Sequence, residues 1–169
     1  MRNHWLVRPG LAQHPDIAYY DGALPLVLRP FEPTDLDPVV NCWFDTWHAA
    51  FAPRRHPRPW EAWRRRFVDE YVDQSEIWLT LSSDEVVALM VLFPQQGWLE
   101  QLFVHPHFQG RGLGRAMLAL ARFRCPAGLE LDTPAENAPA REFYRRRGFV
   151  AQKVGFDPVV GRVTLRYAR

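Results

Sequence analysis

The stretch Val104-His105-Pro106-His107-Phe108-Gln109-Gly110-Arg111-Gly112-Leu113-Gly114-Arg115 decides how the chain is read. An apolar run ends at Val104, Pro106 interrupts it, glycines follow at alternate positions, and helix-forming residues begin. A strand, a glycine turn and a helix in that order leave unpaired backbone N–H groups at the helix start, where the helix dipole favours anions. Glycine has no Cβ, so the backbone there can come close to a phosphate. Successive exposed N–H groups make a concave anion nest, and Arg111 and Arg115 add charge beside it. Two familiar phosphate loops do not fit. A P-loop needs GxxxxGK followed by Ser or Thr, and no lysine stands here. A GxGxxG fingerprint matches at Gly110 and Gly112 but meets Arg115 at its last position. Glycine density alone leaves a plain turn before a helix as good a reading as an anion site.

Working outward, Ile77 to Leu81, Val86 to Phe93 and Trp98 to Val104 read as strands. Ser82-Ser83-Asp84 and Pro94-Gln95-Gln96-Gly97 are the turns between them, so the strands are expected to be antiparallel neighbours. After the glycine turn, Ala116, Met117, Leu120, Ala121 and Phe123 mark a helix, and Leu129 to Leu131 a short strand. Asn137 caps a further helix running to Arg147, with Gly148 in the C′ position. Phe149 to Phe156 and Arg162 to Tyr167 are the last strands, around a turn at Asp157 to Gly161.

Towards the N-terminus, Leu24 to Arg29 reads as a strand closed by Pro30. Pro33-Thr34-Asp35 starts a helix, with Thr34 or Asp35 as cap and Pro38 tolerated in the first turn. Leu36, Val39, Val40, Trp43, Phe44, Trp47 and Phe51 keep helical spacing until Pro53 ends the run. Pro53 to Pro59 is a loop, and a second helix places Trp60, Trp63, Phe67 and Tyr71 on one face. Residues 1–23 are expected as an irregular lead-in. The order β-α-α-β-β-β-α-β-α-β-β describes a mixed sheet with helices packed on it, an α/β architecture.

The 169 residues fit one domain, 1–169. Hydrophobic residues at 47% and charged residues at 24% are an ordinary globular balance. A net charge of +2 is too weak to suggest a nucleic-acid partner. The basic residues are arginines apart from Lys153, a bias best attributed to the base composition of the source genome. No apolar run is long enough to span a bilayer, and Met1 to Gly22 lacks the apolar core of a secretory signal. Cys42 and Cys125 form neither a CxxC pair nor a metal-ligand spacing. A reduced, cytoplasmic protein without a metal or membrane partner is expected, with Cys42 as a small buried apolar residue on the first helix.

Gln109-Gly110-Arg111-Gly112-Leu113-Gly114 resembles the Q/R-x-x-G-x-G/A motif of the GNAT superfamily of acyl-CoA-dependent N-acetyltransferases, and Leu99 to Val104 with Pro106 resembles the strand entering it. A second segment also matches: Asn137, Ala140, the pair Phe143-Tyr144, then Gly148-Phe149. The two motifs together carry the resemblance, which covers roughly residues 24–169 in element order. It implies a mostly antiparallel central sheet with helices on both faces. It implies acetyl-CoA as cosubstrate, its diphosphate on the N–H groups of Gln109, Gly110, Arg111, Gly112, Leu113 and Gly114, with Arg115 beside them. The pantetheine arm would lie along Leu102, Phe103 and Val104, and Asn137 would hydrogen-bond the arm from the other side.

Acyl transfer from a thioester to an amine needs a deprotonated amine, because an alkylammonium of pKa near about 10 is no nucleophile. It also needs a donor for the oxyanion and a proton for the leaving thiolate. Tyr144 stands at the family's tyrosine position and is the candidate thiolate acid; without the family it would read as a core tyrosine. Glu100 is the candidate base, a carboxylate mid-strand among apolar residues just ahead of the glycine turn. His105 and His107 are its rivals, and the Val104 N–H is the candidate oxyanion donor. Trp43, Trp47, Phe51, Trp60 and Trp63 are core, with one or two lining the acceptor site. Arg54, Arg55, Arg58 and Arg64 to Arg66 read as a solvated face.

The leading function is acetylation of a primary amine by direct attack in a ternary complex. The alternative is a non-catalytic acyl-CoA-binding sensor or regulatory module. The acceptor is a small-molecule or peptide amine: Asp45, Glu61, Asp69, Glu70 and Asp73 are too scattered to form a polyamine pocket, while a protein N-terminus, an antibiotic and an amino acid all stay open. The final strand pair could pack across a homodimer.

Overall fold

The structure, a computed structural model, describes residues 5–7, 17–20 and 25–169. In chain order the elements are β1 (Trp5–Val7), β2 (Ile17–Tyr20), β3 (Pro25–Pro30), α1 (Leu36–Ala50), α2 (Trp60–Phe67), β4 (Glu76–Ser82), β5 (Glu85–Phe93), β6 (Trp98–Val104), α3 (Leu113–Arg124), β7 (Glu130–Pro134), α4 (Ala138–Arg145), β8 (Val150–Asp157) and β9 (Arg162–Ala168). From residue 25 on, this is the element order read from the sequence. Where the sequence reading expected only an irregular lead-in, β2 pairs antiparallel with β3 and β1 antiparallel with β2. Runs of three and four residues are too short to signal strands by periodicity. The rest of that lead-in lies outside the described residues.

The strands form one sheet in the order β1-β2-β3-β4-β5-β6-β7-β9-β8. Among the described residues β6–β7 is the parallel pair, and the remaining pairs are antiparallel. Strand β5 is buried from Val86 to Leu92, as expected of a central strand covered on both faces, which reads as a continuous apolar run rather than an alternating one. Helices α1 and α2 pack on one face through Val39, Val40, Trp43, Trp63 and Phe67. Helices α3 and α4 pack on the other through Leu113, Met117, Leu118 and Tyr144. Phe67 is fully buried, and its truncation to alanine would cost about 3–5 kcal/mol.

The turn chemistry follows the sequence. Ser83 and Asp84 both take positive φ between β4 and β5, the geometry of a two-residue hairpin turn. Helix α4 opens with Asn137 Oδ1 accepting from the Ala140 N–H at 3.2 Å. It closes with Gly148 N–H on Arg145 O and Phe149 N–H on Tyr144 O, which sets Gly148 at C′ with φ +80°.

Candidate active site

The site begins with an irregularity in β6. Its pairing with β5 steps from Val91↔Gln101 to Leu92↔Leu99, so Glu100 is the extra residue of a bulge. A bulge re-aims its side chain and shifts the phase of the strand beyond it. The His105 N–H donates to Val87 O on β5 at 2.8 Å. Alternation along the strand then turns the N–H groups of Val104 and Leu102 away from β5. On that side β7 pairs with β6 only at Trp98↔Glu130 and Leu99↔Leu131. The backbone of Leu102 and Val104 therefore faces a gap in the sheet instead of a ladder.

The glycine turn closes one end of this gap. Gln109 Nε2 donates to Val104 O at 3.0 Å and ties the turn to the strand. Gly110 and Gly112 take φ of +78° and +89°, and Gly112 caps α3. The first helical bond of α3 is Ala116 N–H to Gly112 O, so the N–H groups of Leu113, Gly114 and Arg115 precede the ladder. A Cβ on Gly110 would meet nothing within 4 Å, and one on Gly112 only the tip of Arg115. Those two glycines thus keep an open cradle. Gly114 differs: its Cβ would press on the Phe143 ring at 3.3 Å. Its lack of a Cβ serves the packing of α3 on α4, while its N–H stays among those at the helix start. Leu113 is buried, so only its backbone can face the turn. The Arg111 guanidinium lies over the Phe108 ring at 4.9 Å, and Arg115 is exposed.

Behind the gap is a cavity of about 360 Å³. Glu100, Leu102, Phe103, Asn137 and Tyr144 all line it. Val104, His105, His107 and the turn Gln109–Arg115 do not. The structure so brings together the expected acid and base and separates both histidines from them.

Glu100 sits among donors, not among the apolar side chains its sequence neighbours suggest. Its Oε1 accepts from Arg66 Nη2 at 3.0 Å, Tyr71 OH at 3.1 Å and Gln101 Nε2 at 3.3 Å, and its Oε2 accepts from Trp98 Nε1 at 2.8 Å. Oε2 thus keeps a lone pair for a further donor. Arg66 and Tyr71 were missed by sequence reasoning. Arg66 belongs to the run read as a solvated face, yet it lies over the Trp43 and Tyr71 rings and reaches Glu100. Its spacing of three residues from Trp63, which the sequence places on the apolar face of that helix, was the signal that could have found it. The rest of the run is surface, with Arg64 on Asp37 and Arg54 on Glu136.

Tyr144 packs among Phe143, Phe149 and Tyr167, with ring centroids 5.2–6.3 Å away. Burial pushes its phenol well above the ordinary tyrosine range. Asn137 spends Oδ1 on the α4 cap, which leaves Nδ2 as the donor on the cavity side. The remaining wall is aromatic: Trp43 meets Trp63 edge-on at 4.4 Å, and the His56 ring abuts Trp47 and Trp63 at 4.9 and 4.8 Å. Trp60 lies outside this wall, its indole N–H on Asn41. Cys42 and Cys125 are free and buried, and burial lifts the Cys42 thiol to about 11. Among the described residues no group of His, Cys, Asp and Glu side chains could hold a metal ion, and no helix is long and apolar enough to cross a membrane.

The family described as "Acetyltransferase (GNAT) family" matches residues 37–149 of the chain. No curated protein sequence matches it. Solved structures of similar fold include a GCN5-related N-acetyltransferase from Rhodopseudomonas palustris, 20% identical with a TM-score of 0.68, covering 84% of this chain and 93% of that one. The ribosomal-protein-S18-alanine N-acetyltransferase of Escherichia coli is 19% identical with a TM-score of 0.63, over 85% of this chain and 92% of that one. The PaiA N-acetyltransferase of Thermoplasma acidophilum, solved in complex with coenzyme A, is 14% identical with a TM-score of 0.65, over 83% and 97%. With the family match spanning well over half of its length and a sheet that opens between β6 and β7, the chain belongs to the GNAT family of acetyltransferases.

Proposed function

We propose that the protein transfers an acetyl group from acetyl-CoA to a primary amine by direct attack in a ternary complex. The observation that carries this reading is the gap between β6 and β7, with an open glycine cradle at one end and a carboxylate and a phenol in the cavity behind it. The residues present fit the cosubstrate. The cradle at Gly110 and Gly112, with the N–H groups of Leu113 to Arg115, would hold the diphosphate. The backbone of Leu102 and Val104 on the side turned away from β5, with Asn137 Nδ2, would hold the amide-bearing arm. Acetyl-CoA supplies the activated acyl carbonyl.

The chain's own groups supply the rest. Glu100 takes the proton of the incoming ammonium, directly or through a water on Oε2. The Val104 N–H faces the gap and donates to the carbonyl oxygen as it gains charge. Tyr144 keeps its proton at neutral pH because burial disfavours the phenolate, and it gives that proton to the departing sulfur. Free-thiol release with a panel of amines tests the reading. Coenzyme A binding without transfer to any amine would favour the non-catalytic sensor instead.

The edge strand β8 leaves Val150, Val154 and Phe156 exposed. An apolar edge with unpaired backbone supports pairing of two copies as a homodimer, which sedimentation of wild type against Val154→Lys would test.

A further inference from the structure

Arg162 opens β9 and lines the same cavity as Glu100. Its side chain is only 3% exposed. Nε and Nη2 are both buried, and neither has a hydrogen-bond partner among the described residues. Glu136 Oε1 comes within 3.2 Å of Nε without hydrogen-bond geometry, and that oxygen accepts from Arg54 at 2.6 Å. Asp157, across the hairpin from Arg162, also lines the cavity but gives those two nitrogens no acceptor. The guanidinium lies over the rings of Phe51 at 3.9 Å and Trp47 at 4.9 Å. Stacking holds its plane and leaves the N–H groups of Nε and Nη2 unsatisfied.

Buried N–H groups of a charged side chain are costly to leave without acceptors, and a nearby carboxylate that only balances the charge does not satisfy them. Nε and Nη2 form one edge of the guanidinium fork, and that edge matches the two oxygens of a carboxylate. The cavity thus has an anion to meet an amine, Glu100, and a cation to meet an anion, Arg162, with aromatic walls from Trp43, Trp47, Phe51 and Trp63. Its volume of about 360 Å³ is at the small end of ligand pockets.

We propose that the acceptor is a free α-amino acid with an apolar or aromatic side chain, its carboxylate clasped by Nε and Nη2 of Arg162. The proposal rests on the acyl-transfer reading of the cavity. Arg162 is then a specificity residue that seats the acceptor while its amine faces Glu100. Burial already pushes the Arg162 guanidinium below its ordinary range, and a bound carboxylate would relieve that.

The test compares L-leucine and L-phenylalanine with their amides and with 3-methylbutylamine and 2-phenylethylamine, in acetyl transfer from acetyl-CoA read per free amine. The amides stand in for a peptide N-terminus. A charge-assisted bidentate contact should favour the amino acids by about 10–100-fold in kcat/KM, mostly through KM. Arg162→Gln should erase that preference, and Arg162→Lys should restore part of it. Calorimetry with N-acetyl-L-phenylalanine reads the same contact without turnover: it should bind wild type and lose about tenfold or more in Arg162→Gln. The melting temperature of Arg162→Gln should equal or exceed that of wild type, because a strained charge is removed. Amides or simple amines that match the amino acids would overturn the proposal and leave acyl transfer standing. Failure of wild type to bind N-acetyl-L-phenylalanine would overturn it too, as would a destabilised Arg162→Gln. Arg162-dependent binding without transfer to any amine would uphold the carboxylate site and sink the acyl-transfer reading.

Discussion

Tyr71 donates its hydroxyl to Glu100 Oε1 at 3.1 Å while accepting from Gln101 Nε2 at the same distance. Tyr71 lies in a π-helical turn, Val68–Val72, that follows α2, and such turns often mark functional positions. The contact joins a helical segment to the bulge of β6 and holds the carboxylate in place.

If Glu100 is the base, Tyr71 is a residue that positions it, and the two should act as one unit. Tyr71→Phe should lower kcat/KM by about tenfold, and Glu100→Gln by about 10²-fold or more at neutral pH. In the Glu100→Gln background, Tyr71→Phe should add little. The Glu100→Gln deficit should shrink as pH climbs towards the amine's own pKa near about 10. Additive losses, or a parallel pH profile near wild-type height, would return both residues to a structural role.

Tyr144→Phe removes one hydroxyl and little volume from a packed aromatic cluster. Turnover should fall by roughly 10²-fold with coenzyme A affinity nearly unchanged. Because burial raises the phenol, the wild-type rate should show no loss from Tyr144 ionisation on the alkaline side up to pH about 10. Steady-state rates together with calorimetry decide the point, and turnover within about twofold of wild type would assign Tyr144 to the core.

The glycines of the turn should separate by readout. Gly112→Ala puts a side chain at φ +89°, a left-handed cost of about 1–2 kcal/mol, with its Cβ aimed into the open cradle. We expect a modest fall in melting temperature and a loss of coenzyme A binding. Gly114→Val collides with Phe143, so its main effect should be on stability. Unchanged coenzyme A affinity in folded Gly112→Ala would move the diphosphate elsewhere.

Before α1, Arg29 Nη1 and Nη2 clasp Asp35 at 2.7 and 2.8 Å, and the Glu32 N–H donates to the same carboxylate at 2.8 Å. Burial alone would raise the Asp35 carboxyl, but Arg29 and the Glu32 N–H outweigh it and hold it below its usual range. A depressed carboxyl stabilises the fold above its unfolded pKa, near about 3.9, and loses that contribution as pH falls through the folded value. Asp35→Asn should therefore be less stable than wild type by about 3 kcal/mol at pH 7. In urea titrations the difference should narrow below pH about 4. A gap that stays constant down to pH about 2 would rule the ion pair out as its source.

The element order was legible because strand and helix periods, caps and turn glycines depend on residues a few positions apart. The Asn137 cap, the Gly148 stop and the left-handed glycines of the turn are all of that kind. The approximate ends of β4, β5, β6 and α3 follow for the same reason. Bounds shifted where packing extends a strand: β7 runs to Pro134 rather than Leu131 because β9 pairs along it to Thr164.

What the sequence by itself determined is the series of elements, the glycine turn between β6 and α3, and the identity of Glu100 and Tyr144 as residues worth testing. Tertiary structure alone decided that β9 lies between β7 and β8, that Glu100 is the bulged residue, and that Arg66 reaches it from 34 positions away. It also decided that Gly114 makes room for Phe143 and that Nε and Nη2 of Arg162 are buried without a hydrogen-bond partner. Local propensity is a sum over near neighbours, whereas a partner's identity depends on which distant segments the sheet brings side by side. An arginine on a helix reads the same whether it meets water or a carboxylate, and only the packed sheet distinguishes the two.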